Sequence, residues 1–286
     1  MRPQARRSSV ATMNTVTADG RTREVRRAHG VRLRTYVDGA GPTLVIIPSY
    51  GRGSGSDYDD LTERLVRAGW TVLRPQPRGV AGSVGPMTGL TMHDLADDVA
   101  ASIRAHGEPP AVVLGHAYGN MLARLLATDH PDLVRALVLA ATTTDDFSDD
   151  LASQPFIAGD TARPRAERLA ALRRAFFAPG HDPTPWLDGW FPETLAMQGA
   201  AVAAVPVPEY WAGGEVPVLE LIAADDPFMP SDRRQDLHDQ FPDRVTTVVI
   251  EDAAHALFPE QPDAIAAALL PWLARFHGEP AGAHGD

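Results

Sequence analysis

The stretch that decides the fold is Ala111-Val112-Val113-Leu114-Gly115-His116-Ala117-Tyr118-Gly119-Asn120-Met121-Leu122. Its first four residues, entered from Pro109-Pro110, form a short continuous apolar run, as expected of a strand buried on both faces. Beyond it Met121, Leu122, Leu125 and Leu126 recur at helical spacing. Between strand and helix stand Gly115 and Gly119. Glycine at both flanks of a turn lets one backbone segment pass close to another, so the spacing predicts a sharp strand-to-helix turn with Ala117 at its tip.

The same alternation continues outward in both directions. Residues 31–37 alternate like a half-buried strand and are turned by Gly39-Ala40-Gly41-Pro42, and Thr43 to Pro48 is another apolar run. A Gly-rich loop over 49–56, a helix over 58–68, a strand over 70–73 and a helix over 92–105 follow. Downstream come a strand over 134–139, strands over 216–222 and 245–250, and a closing helix over 262–276. Strands alternating with helices predict an α/β fold, a mostly parallel sheet with helices on both faces. The stretch 144–212 interrupts this pattern; it is helical, rich in Trp, Phe and Pro, and inserted into the sheet topology. Residues 1–25 read as a disordered tail, since they hold few large apolar residues and no period. The core is assigned to 26–143 and 213–278.

Composition excludes several classes of chemistry. There is no Cys, which removes thiolate catalysis, cysteine-ligated metals and disulfides. There is also no Lys: all 26 basic residues are Arg, so Schiff-base chemistry and a P-loop lysine are absent. The formal charge is −11. The first 30 residues carry seven Arg against Asp19 and Glu24, and the remainder carries 19 Arg against 35 acids. So acidic a body repels phosphate, and neither a nucleic-acid nor a membrane partner is expected. No apolar run reaches the ~18 residues of a membrane span, and Arg6-Arg7 leads into no apolar export segment, so a cytoplasmic location is expected. Oligomeric state, including a homodimer, is left open.

Two further motifs lie downstream of the turn: Leu221-Ile222-Ala223-Ala224-Asp225-Asp226-Pro227-Phe228-Met229-Pro230 and Ala254-His255-Ala256-Leu257-Phe258-Pro259-Glu260-Gln261-Pro262. Each follows a strand. The order turn, acid, histidine resembles the α/β-hydrolase fold superfamily, in its cap-bearing esterase and lactonase-like branch, over about residues 24–278. Arg78-Gly79 with Ser83 resembles another loop of that family. The resemblance implies that residues 115–119 are a nucleophile elbow and that His255 is the catalytic base. It also makes Asp226, four residues before Pro230, the acid partner, with Asp145 or Asp146 as the alternative position. The 144–212 insertion falls where that family carries a helical cap, and no cofactor or metal is implied. By the same alignment the oxyanion donors are the backbone N–H groups of Tyr50 and Tyr118, which survive any side-chain change.

The chain departs from the family in two places: its oxyanion loop begins Pro48-Ser49 where the family usually has His-Gly, and its nucleophile position is altered. Where the nucleophile stands it has Ala117, which can attack nothing. Three readings follow: a hydrolase acting on a small apolar ester or lactone whose serine has been replaced by design; a native enzyme using His255 and Asp226 as a general base for direct water attack, elimination, isomerisation or cyclisation; and a pocket kept only for binding. Among other residues, Ser49 beside the expected hole could orient a substrate oxygen or cap its own turn. His116 reads as packing. Of the aromatic group Trp186, Trp190, Phe191, Tyr210 and Trp211, most belong to the core of the cap and one or two are expected to line an apolar substrate pocket, with Trp186, Trp190, Tyr210 and Trp211 as the candidate substrate contacts beside Ser49. The Gly51-Arg52-Gly53-Ser54-Gly55 loop fails a dinucleotide fingerprint, because its third glycine falls on Ser56. The acidic pairs Asp59-Asp60, Asp97-Asp98 and Asp149-Asp150 lack calcium-loop spacing and read as solvated faces.

Overall fold

Strands β1 (Thr15–Val16), β2 (Thr22–Arg26) and β3 (Arg32–Asp38) open the chain as an antiparallel meander. The computed structural model describes residues 15–16, 20–144 and 147–277. Next come β4 (Thr43–Ile47), α1 (Asp59–Arg67), β5 (Thr71–Pro75), α2 (Met92–His106), β6 (Ala111–His116), α3 (Tyr118–Asp129) and β7 (Val134–Ala140). Helices α4 (Asp149–Gly159), α5 (Arg165–Ala175) and α6 (Pro192–Ala203) separate β7 from β8 (Val218–Ala223). The chain then runs through α7 (Asp236–Gln240), β9 (Val245–Ile250), α8 (Leu257–Glu260) and α9 (Pro262–Leu273). All nine strands form one sheet in the order β1-β2-β3-β5-β4-β6-β7-β8-β9, and every pairing from β5 to β9 is parallel.

The expected mostly parallel α/β sheet is therefore present, and the reason is visible strand by strand. Along β4, Val45 and Ile47 pack with α2 and α3, while Leu44 and Ile46 pack with α1 and α9 on the opposite face. A strand covered on both sides needs no polar alternation, which is why these strands read as unbroken apolar runs.

Two expectations need correction. The tail does not extend to residue 25: Thr22 to Arg26 is β2, paired along its length with β3. Its composition hid this, because β2 has only one large apolar residue, Val25, which is buried with Val31, Leu33 and Ala101. The rest of residues 1–14 and 17–19 lies outside the described residues. The pair Asp97-Asp98 is not a solvated face either. Asp98 is buried and accepts from Arg78 Nε at 2.6 Å and Nη2 at 3.0 Å, with Arg27 as a second cation. The alternative acid position, Asp145-Asp146, lies outside the described residues.

Candidate active site

Because β4, β6, β7, β8 and β9 run parallel, the loops that leave them gather at one edge of the sheet, where binding sites of such folds form. At the end of β6, Ala117 has φ 51° and ψ −114°. A non-glycine residue held there carries roughly 1–3 kcal/mol of backbone strain, tolerated only where its surroundings dictate it. They do. A Cβ on Gly115 would lie 2.2 Å from the Gly119 carbonyl oxygen, and one on Gly119 would lie 2.3 Å from that of Ile47. The turn thus keeps the strained geometry of an elbow although its tip is a methyl group.

His255, in the loop after β9, places Nδ1 2.8 Å from Asp226 Oδ2, in the loop after β8. Both residues are buried. Asp226 Oδ1 accepts from the Phe228 N–H at 2.9 Å, which fixes the carboxylate plane. An acceptor at Nδ1 puts the ring proton there and leaves Nε2 as the basic nitrogen; Nε2 bonds to none of the described residues, and His255 lines the cavity described below.

A chain of hydrogen bonds joins the loop after β4 to the histidine loop. Ser49 N–H donates to the Tyr58 hydroxyl at 3.3 Å, and that hydroxyl donates to His116 Nδ1 at 2.9 Å. His116 Nε2–H donates to the backbone carbonyl of His255 at 2.7 Å. The carbonyl sets the tautomer, since only a protonated Nε2 can meet it. Burial, reinforced by the nearby His255, pushes the His116 pKa down to about 3, so the ring is a neutral strut. His116 therefore supports the base loop from behind and takes no part in lining the cavity.

Neither the Tyr50 nor the Tyr118 backbone N–H has an acceptor among the described residues, and both residues line the cavity. Tyr118 opens α3, where an unpaired N–H also sits at the positive end of the helix dipole. The Tyr50 loop is held from above: Gly51 N–H donates to Gln198 Oε1 on α6 at 2.7 Å, and Phe191 N–H donates to the Gly51 carbonyl at 2.8 Å.

The cavity, of about 560 Å³, lies between the sheet edge and the helices α4 and α6. Ala117, Tyr118, Tyr50, His255, Tyr210 and Trp211 line it, whereas Asp226 stands behind His255. Trp186 and Trp190 do not line it, which corrects their assignment as substrate contacts. They pack with Phe176, Phe177 and Leu172 in the core of the helical insertion. The Arg52 guanidinium lies 4.1 Å from the Trp186 ring centroid and pairs with Asp57 at 2.6 Å. Three short helices bury little by themselves, so their largest aromatics are needed as core. Ser49 is buried in its own turn and does not line the cavity either.

Among the polar cavity residues that sequence reasoning missed are two charged ones set within apolar elements, Arg124 on α3 and Glu220 in β8. Both had a signal: a lone carboxylate inside the apolar run Val218 to Ala223, and a lone cation among Leu122, Ala123, Leu125 and Leu126. Glu220 accepts from the Thr142 hydroxyl at 2.7 Å and the Thr247 hydroxyl at 3.2 Å, and burial raises its pKa. Among the described residues no group of three His, Asp or Glu side chains is placed to hold a metal ion, and no helix is long and apolar enough to cross a membrane.

With fold and geometry in place, comparison with known proteins identifies the class. A family model described as alpha/beta hydrolase fold matches residues 42–187, just over half of the chain, and the chain belongs to that family. It is similar to the pyrethroid hydrolase of Sphingobium wenxiniae, 25% identical over 79% of this chain and 86% of that one. It is also similar to the pyrrolizixenacetamide deacetylase of Xenorhabdus hominickii, 31% identical over 36% of this chain. That match spans only 38% of the deacetylase's own length. Among solved structures, an esterase from Exiguobacterium antarcticum superposes with a TM-score of 0.74 at 18% identity, covering 88% of this chain and 98% of that one, a likeness of fold alone. By their names the Sphingobium and Xenorhabdus relatives are a hydrolase and a deacetylase.

Proposed function

We propose that the chain is a cofactor-independent, hydrolase-type enzyme acting on a small, mainly apolar carbonyl compound, with His255 as general base and no covalent intermediate on residue 117. One observation carries the reading. The His255–Asp226 pair at 2.8 Å leaves Nε2 unbonded among the described residues, and His255 lines the same cavity as Ala117 at the tip of an elbow that lacks a nucleophilic atom. A pocket used for binding alone has no need of a carboxylate that holds an imidazole in its base-competent tautomer.

In hydrolysis, Nε2 takes a proton from a water molecule as the water oxygen bonds to the substrate carbonyl carbon. The carbonyl oxygen, now negative, accepts from the Tyr50 and Tyr118 N–H groups. Collapse of the tetrahedral species breaks the bond to the leaving oxygen, which receives the proton from the His255 imidazolium. Asp226 stays ionised throughout and steadies the charge on the ring. The same base and hole also serve proton abstraction beside a carbonyl, a reading favoured by the absent hydroxyl at residue 117, since that chemistry needs no nucleophile. The apolar lining from Phe147, Phe156, Val202 and Leu237 supports a substrate with an apolar body. Turnover of ester, lactone and enolisable-ketone panels by the unmodified chain and by His255→Ala tests the reading. Dependence on His255 with at least one panel is expected; equal rates on every compound would return the pocket to a binding role.

A further inference from the structure

The cavity contains a cation that the chemistry at His255 leaves unused. Arg124 follows Tyr118 and Met121 at intervals of three along α3, and all three residues line the cavity. Seven residues of helix separate its Cα from that of Ala117, roughly 10 Å of rise. Arg124 is only 3% exposed, yet it forms no ion pair among the described residues. Its Nη1 donates to the Trp211 carbonyl at 3.1 Å, its guanidinium carbon lies 4.7 Å from the Trp211 ring, and its Nε is enclosed by protein with no partner among the described residues. Nη2 donates to none of the described residues, and it is not among the nitrogens sealed off by protein atoms. Burial pulls the Arg124 pKa down to about 10, which leaves the group charged near neutral pH.

Glu220 is the carboxylate whose field Arg124 feels, but its two oxygens are already engaged by Thr142 and Thr247. A buried guanidinium without a bonded anion is destabilising, and such donors are normally satisfied. A carboxylate entering the cavity would give the open Nη2 an acceptor, because a charged guanidinium N–H donates strongly to a carboxylate oxygen. Glu220 and Asp236 also line this cavity, so a ligand with more than one acidic group would meet carboxyl groups as well as Arg124.

We infer that the ligand of this cavity is a monocarboxylate whose carboxylate is held by Arg124, at the far end from the carbonyl that meets His255. The inference rests on the reading of this cavity as the substrate site, and it narrows the substrate class to an apolar body with a reactive carbonyl at one end and an acid at the other. Tyr210 and Trp211 then act as walls around the acid end, since Tyr210 reaches Met121 Sδ at 3.6 Å and Trp211 stacks on Arg124.

The test is calorimetric titration of the full chain with 4-phenylbutyrate and with its neutral isostere 4-phenylbutyramide. The unmodified chain is expected to bind the carboxylate about ten-fold or more tightly than the amide, as one charge-assisted contact to a buried guanidinium implies. Arg124→Gln should bring the two affinities within about two-fold of each other by weakening the carboxylate alone, and Arg124→Lys should keep part of the preference. Equal affinities in the unmodified chain, binding of neither compound, or a preference that survives Arg124→Gln each overturns the inference. If Arg124→Gln does not fold, the comparison in the unmodified chain and in Arg124→Lys decides. Catalysis is a separate readout. No carboxylate preference alongside His255-dependent turnover refutes this inference alone, whereas a preference with turnover indifferent to His255 refutes only the catalytic reading.

Discussion

Ala117→Ser adds one oxygen atom at the tip of the elbow, and its consequences can be worked out. The backbone there already holds φ 51° and ψ −114°, which is no worse for Ser than for Ala, so no new strain is introduced. Residue 117 lines the cavity, so the hydroxyl is not sealed away from partners; the change in stability should stay within about 1 kcal/mol. The effect on ester cleavage should be far larger. His255 is already anchored through Nδ1 with Nε2 free, and nucleophile and base act as a unit, so a gain on the order of 10³-fold or more in ester turnover is expected. A fluorophosphonate probe read by intact mass gives the cleanest assay. The unmodified chain should remain unlabelled, Ala117→Ser should take up one probe per chain, and adding His255→Ala should abolish that labelling. A folded Ala117→Ser protein with an unchanged melting curve and no label would refute the reasoning, because residue 117 would then not be presented to the base.

Asp226→Asn should lower His255-dependent turnover on the order of 10²-fold or more with the fold intact by circular dichroism, since an amide can donate to Nδ1 and select the wrong tautomer; an unchanged rate would remove Asp226 from the site. Gly119→Ala should destabilise the chain by roughly 3 kcal/mol or prevent folding, because its Cβ would overlap the Ile47 backbone 2.3 Å away. Chemical denaturation checks this, and a loss below about 1 kcal/mol would mean that β4 and α3 can separate freely. Acid should weaken the fold through His116. Its pKa falls from 6.5 to about 3 on folding, so between those values the unfolded chain binds a proton that the native chain does not. Stability is therefore fully present above pH 6.5 and is lost as pH falls toward 3. His116→Asn should reduce the slope of unfolding free energy against pH by up to about 1.4 kcal/mol per pH unit in that window; an identical slope would show that His116 titrates normally.

Much of the architecture was legible because it depends on local pattern. The runs Thr43 to Ile47 and Ala111 to Leu114 can be buried on both faces only in a covered parallel sheet, and the order Gly115 to Gly119, Asp226, His255 survives any packing detail. Strand β2 was not legible, because Thr22-Arg23-Glu24-Val25-Arg26 gains its order from its neighbour β3 and from Val25 alone in the core. The strut through Tyr58 and His116 was equally hidden: the two are 58 residues apart and meet only when β6 and the turn before α1 are packed together.

What the sequence determined by itself is the covalent inventory and the order of its motifs: no thiol, no lysine, no nucleophile at residue 117, and glycines where backbone must pass backbone. Which residues face the cavity was decided by the tertiary structure alone. Trp186 and Trp190, read as substrate contacts, turn inward because α4, α5 and α6 have too little apolar surface to cohere without them. Arg124 and Glu220, silent within apolar runs, line the pocket enclosed between the sheet edge and the helical insertion. Periodicity shows which residues share a face of a helix or strand. Only the packing of other elements against that face settles whether it meets protein, water or a ligand.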